Sequence, residues 1–166
     1  MSTNTREPSV AAGAQLAAPP NPHHERRWLA LGVILIAQVM LLLDATIVNV
    51  ALPSVQADLG FSDDTRGWVV TAYLLAFGSL LLLGGRLADA YGRKTVFIVG
   101  LVGFAIASAV GGAAPNIETL ITARAGQGGF AAVMAPAALS LITVIFTDLK
   151  ELNKAFAIFG AVAGSS

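Results

Sequence analysis

Four long apolar stretches separated by short polar connectors constrain this chain more than any other feature. The first covers residues 28–52, is interrupted only by Gln38, Asp44, Thr46 and Asn49, and runs into Pro53. At ~1.5 Å per residue it comfortably crosses a ~30 Å hydrocarbon core. The others cover roughly residues 68–83, 95–114 and 117–146. Trp68 and Tyr73 stand near the start of the second, where aromatic rings favour a membrane interface. Pro136 is expected to kink the fourth, because it removes a backbone donor. A fifth stretch, residues 155–166, falls short of the ~20 residues a span needs. The reading is an all-α, polytopic transmembrane bundle over residues 27–166, with four full spans and a fifth helix cut short. Residues 1–26, with Pro8, Pro19, Pro20 and Pro22, are expected to be a disordered cytoplasmic tail. No apolar segment there is followed by a small-residue cleavage site, so a cleaved signal peptide is not expected.

Composition narrows the function classes. Hydrophobic residues make up 55% and charged residues 12%, against about 25% charged in a soluble domain. The 10 basic and 10 acidic residues cancel, so net charge gives no ground for a nucleic-acid partner and none is expected. There is no cysteine, and the two histidines, His23 and His24, are adjacent in the tail, so no metal site is expected. A membrane-embedded enzyme is disfavoured for the same reasons, and because Asp44 is the one carboxylate deep within a span.

Basic residues in short connections set the orientation. Arg26 and Arg27 precede the first span, Arg86, Arg93 and Lys94 join the second to the third, and Lys150 and Lys154 follow the fourth. These three sides belong in the cytoplasm. The remaining connections carry Asp58, Asp63 and Asp64 with a single Arg66, or only Pro115 and Asn116, and face outward. The assignments alternate without contradiction and place the amino terminus inside.

Two ionisable residues lie well inside spans, Asp44 and Arg124, each costing about 2.5–3.5 kcal/mol at a helix centre on translocon scales. Asp44 lies eight residues, ~12 Å, below the outer end of the first span, and Arg124 seven residues, ~10 Å, below the outer end of the fourth. If those helices are neighbours, the two side chains can neutralise each other, directly or through water. The carboxylate can then exchange a proton beside a guanidinium that stays charged. The alternative is a purely structural pair, or residues that snorkel or line a static water pocket. Gln38, Thr46, Asn49 and Gln127 are polar neighbours able to bind a substrate or another helix.

Residues 84–94 read Gly-Gly-Arg-Leu-Ala-Asp-Ala-Tyr-Gly-Arg-Lys. Gly85 and Gly92 suit close helix approach and a tight turn. Asp89 stands among Arg86, Arg93 and Lys94, able to form a local ion pair or to cap another helix. An ordinary positive-inside loop explains the basic residues; a conformational latch also explains Asp89. Gly126, Gly128 and Gly129 beside Arg124 suit close approach of a partner backbone. Gly160 and Gly164 repeat a spacing common in membrane helices.

Three blocks, in order, resemble signatures of the major facilitator superfamily. Residues 85–94 resemble its loop motif G-x-L-a-D-r-x-G-r-k, and residues 124–129 its fourth-helix motif R-x-x-q-G-x. Residues 43–53, Leu-Asp-Ala-Thr-Ile-Val-Asn-Val-Ala-Leu-Pro, are similar to the block that marks the fourteen-helix drug:proton antiporter branch. The resemblance implies export of amphipathic, antibiotic-like compounds across the plasma membrane, powered by the proton gradient and needing no cofactor. It implies proton coupling at Asp44 and Arg124, and an inward/outward switch at Gly85, Asp89, Gly92, Arg93 and Lys94. Asp89 is then expected to engage a helix of a second bundle in the full-length transporter. Ala90 departs from the motif, where arginine is frequent, and of the fifth-helix antiporter motif only the approach at residues 160–164 is present. Two other readings stay open: a membrane fragment that transports nothing by itself, and a facilitator of another substrate class.

Overall fold

The computed structural model describes residues 22–164, and every regular element among them is an α-helix. The helices are α1 (Pro22–Leu59), α2 (Asp63–Tyr91), α3 (Arg93–Gly112), α4 (Ile117–Ile145) and α5 (Leu149–Ala163). The first four are long and apolar enough to cross a membrane. The expected tail at residues 1–26 lies outside the described residues up to position 21; from Pro22 the chain is already helical. Proline suits that place, since a first-turn residue has no intrahelical partner for its N–H.

Local chemistry fixes the helix ends. Asn116 Oδ1 accepts hydrogen bonds from the Thr119 backbone N–H at 2.9 Å and the Thr119 hydroxyl at 2.8 Å, closing the first turn of α4. Asp148 Oδ1 does the same for α5, accepting from Lys150 N–H at 2.8 Å and Glu151 N–H at 3.2 Å. The fifth helix therefore starts at Leu149, earlier than the apolar onset near Ala155 suggests. Helix α1 likewise continues past Pro53 to Leu59. The next connection is closed by Gly60 N–H donating to the Gln56 carbonyl at 2.9 Å and by Gln56 Nε2 donating to Asp63 Oδ1 at 2.8 Å. Helix α4 runs through Pro136 without ending.

Helix α4 is the centre, with α2 and α3 packed along it and α1 reached through α5 and a few residues of α4. Its buried face is built largely of small residues, including Ala123, Gly128, Ala131, Ala132, Ala137 and Ala138. Small side chains let backbones approach closely, which is how membrane helices associate when burial of apolar surface offers little drive. The approach is tightest at two glycines. A Cβ on Gly84 would collide with the Ala132 carbonyl and Val133 Cα, and one on Gly128 with the Tyr73 carbonyl. At the basic end of the bundle, Trp28 meets Phe146 edge-on with ring centroids 5.2 Å apart. Arg27 and Glu151 pair there at 3.5 Å, and Lys154 Nζ sits 5.3 Å from the Trp28 ring centroid. The outer faces remain apolar: Ile36 is 70% exposed, Val50 75% and Leu82 84%. Water does not tolerate so continuous an apolar surface, whereas lipid does.

Candidate functional site

The two intramembrane charges meet. Arg124 Nη1 donates to Asp44 Oδ2 at 2.6 Å and to Gln127 Oε1 at 3.0 Å, while Gln127 Nε2 donates to Asp44 Oδ1 at 2.7 Å. The three side chains form a closed ring in which each carboxylate oxygen accepts one bond. Arg124 and Gln127 are three residues apart on α4, so they share a face. Asp44 reaches them from α1. The side chains are nearly withdrawn from solvent, 5% exposed for Arg124 and 11% for Asp44. A pair in this setting is hard to break from one side, since a lone buried charge costs about 3–5 kcal/mol. Arg124 Nε, also buried, has no hydrogen-bond partner among the described residues.

The Tyr73 ring of α2 covers the guanidinium, with its centroid 4.5 Å from Cζ. Sequence reasoning assigned Tyr73 to the membrane interface beside Trp68. Five residues on a helix rotate by about 140°, enough to separate the two rings. Trp68 is 58% exposed, and Tyr73 turns to the interior. That rotation, read against a charged residue at similar depth on another helix, was the available signal.

The ring of three forms part of the wall of a cavity of about 460 Å³ between α1, α3 and α4, with Val69 of α2 also on the wall. Ile47, Val48, Leu52 and Leu120 make its sides apolar, and Asp58 also lies on the wall. Of the polar residues proposed for a substrate cavity, Gln127 lines it, but both its amide atoms are spent on Asp44 and Arg124. Gln38, Thr46 and Asn49 lie off the wall. The Thr46 hydroxyl donates to the Leu42 carbonyl at 2.9 Å on its own helix.

The second group of residues is not a loop. Residues 84–91 complete α2, and Gly92 alone joins it to α3. Gly92 has φ +90°, a region that favours glycine. Close approach belongs to Gly84, whereas a Cβ on Gly85 would meet open space; adjacent residues on a helix point about 100° apart, and Gly84 is the one that faces α4. Asp89 and Arg93 pair across the joint at 3.7 Å, with side chains 73% and 38% exposed. Lys94 is exposed beside them. Near Arg124, Gly128 takes the tight approach, while Gly126 makes only ordinary contact with Ala107.

The family model of the Major Facilitator Superfamily matches residues 34–166. The chain belongs to the Major Facilitator Superfamily. As a superfamily member it is 57% identical over 159 residues to a puromycin resistance protein of Streptomyces alboniger, covering 96% of this chain and 32% of that protein. It is 48% identical to a probable actinorhodin transporter of Streptomyces coelicolor, over 95% of this chain and 27% of that protein. Identity to a multidrug efflux pump of Mycolicibacterium smegmatis is 38%, over 85% and 28% of the two chains. The chain thus spans about a third of the length of the superfamily relatives it matches, and with its apolar helices it is a multi-pass membrane protein.

Proposed function

We propose that these helices form the amino-terminal part of a proton-coupled exporter of small amphipathic, antibiotic-like molecules, working as a drug/proton antiporter in the plasma membrane with the amino terminus in the cytoplasm. The observation that carries the reading is the closed Asp44–Arg124–Gln127 ring beside a largely apolar cavity. Relatives described as resistance and export proteins support it. The proton gradient supplies the energy, and no cofactor takes part.

The chemistry follows from the ring. With Asp44 ionised, its charge is balanced by Arg124 and both oxygens are occupied, so α1 is fastened to α4. A proton on Asp44 removes the negative charge and one acceptor site, which weakens that fastening and leaves Arg124 with surplus positive charge. In an alternating-access cycle, one bundle rocks against the other around a midplane site. Protonation from outside then accompanies substrate release and return to the inward-open state. Gly85, Asp89, Gly92, Arg93 and Lys94 serve as the switch segment at the α2–α3 joint, engaging a helix of the second bundle. Gln38, Thr46 and Asn49 on α1 are the side chains we assign to substrate contact in the assembled transporter.

The test is dye efflux from vesicles carrying the full-length transporter under an imposed pH gradient. Asp44→Asn and Arg124→Ala are each expected to lower gradient-driven ethidium efflux at least about tenfold, the loss that ~1.4 kcal/mol of coupling represents. Undiminished efflux in both would sink the coupling reading.

A further inference from the structure

A guanidinium is a rigid plane with five N–H donors. In Arg124 both hydrogen bonds leave from Nη1, one to Asp44 and one to Gln127, while buried Nε has no partner among the described residues. Hydrogen bonding therefore pins one corner of the plane. What else holds it is the face of Tyr73, 4.5 Å from Cζ and well inside the ~6 Å reach of a cation–π contact. The register of that ring is itself fixed. Gly128, one turn along α4 from Arg124, lies so close to the Tyr73 carbonyl that no Cβ fits between them. Phe77, one turn along α2, stacks nearly parallel to Tyr73, at 6.1 Å and 4°.

We infer that Tyr73 is a positioning residue for the coupling pair, its ring face holding the Arg124 guanidinium beside Asp44 whether or not Asp44 carries a proton. The inference takes its significance from the coupling reading above and its geometry from the α2–α4 contact. A carboxylate loses its hold on the cation when it is protonated; a ring quadrupole does not. Without the ring, a protonated Asp44 leaves Arg124 held by Gln127 alone, free to swing its unsatisfied Nε toward another acceptor and uncover the carboxyl. The contact uses the ring and not the hydroxyl. Phenylalanine should therefore replace Tyr73, and leucine should not.

Two measurements on the full-length transporter in lipid vesicles decide this separately. The first is modification of Asp44 by dicyclohexylcarbodiimide, an apolar reagent for protonated carboxyls, followed by mass spectrometry of the peptide that carries it. Tyr73→Leu is expected to label about five-fold faster than the parent, and Tyr73→Phe within about two-fold of it. Labelling of Tyr73→Leu at the parental rate, or of Tyr73→Phe as fast as Tyr73→Leu, overturns the assignment. Should Tyr73→Leu not fold, Tyr73→Met fills the space without a ring face and takes its place. The second is ethidium transport, where Tyr73→Leu is expected to lose gradient-driven efflux but keep ethidium–ethidium exchange, and Tyr73→Phe to keep both. A labelling difference in a parent that never extrudes ethidium upholds Tyr73 and removes the antiport reading. Gradient-driven efflux without a labelling difference does the reverse.

Discussion

The molecule holds two carboxylate–guanidinium pairs in contrasting settings. Asp44 and Arg124 meet at 2.6 Å between α1 and α4, with Gln127 completing a ring and Tyr73 covering the cation. Asp89 and Arg93 meet at 3.7 Å across the α2–α3 joint, with Asp89 73% exposed. The chemical groups are the same and the energetics are not. In the first pair, removing one partner strands a charge away from water; in the second, water and salt replace the partner at little cost. A proton-linked fastening needs the first kind of pair, because its state must matter to the fold. A joint that changes partners during a cycle needs the second, because it must let go.

The largest expected effect comes from breaking the buried pair from one side. Arg124→Ala should lower stability by about 3–5 kcal/mol, read by thermal unfolding in detergent, while replacing both charges together, Asp44→Leu with Arg124→Leu, should recover most of the loss. A double variant as unstable as the single one would show that the pair holds the helices together in its own right. Next comes the helix approach that separates the two settings along α2. Gly84→Ala should cost about 1–3 kcal/mol, because its methyl meets the Ala132 carbonyl. Gly85→Ala, into open space, should be neutral or gain up to about 1 kcal/mol from helix propensity. Equal effects in the same unfolding assay would remove the close approach from the account. Smallest is the exposed pair, where Asp89→Asn should shift stability by less than about 1 kcal/mol, and high salt should erase the difference. A larger, salt-resistant shift would erase the contrast between the pairs.

Hydropathy and charge placement made the four spans legible, because a bilayer demands a run of apolar residues and penalises the wrong loop charge. The meeting of Asp44 and Arg124 was legible too, since depth follows from counting residues to the helix ends. Helix ends were not. Hydropathy senses the surrounding solvent and not the backbone, so α1 beyond Pro53 and α2 beyond Leu83 were missed although both stay helical. Nor was helix rotation legible. In a membrane the lipid-facing and core-facing sides are both apolar, so the periodicity that orients a helix in a water-soluble protein is faint. For that reason Gly85 was read where Gly84 makes the contact, Gln127 stayed open between a substrate and another helix where its amide bonds Asp44 of α1, and Tyr73 was placed at the membrane surface.

Helix α1 is held to the bundle in two ways: by Trp28 and Arg27 against Phe146 and Glu151, continued by buried Leu31, Ile34 and Ala37, and, 16 residues beyond Trp28, by the charged contact of Asp44 with α4. That spacing is ~24 Å along the helix. The first attachment is mainly apolar packing; the second rests on one carboxylate and its guanidinium. If Asp44 takes up a proton as proposed above, the loosening falls on the part of α1 beyond Ala37, while the half packed around Trp28 stays in place.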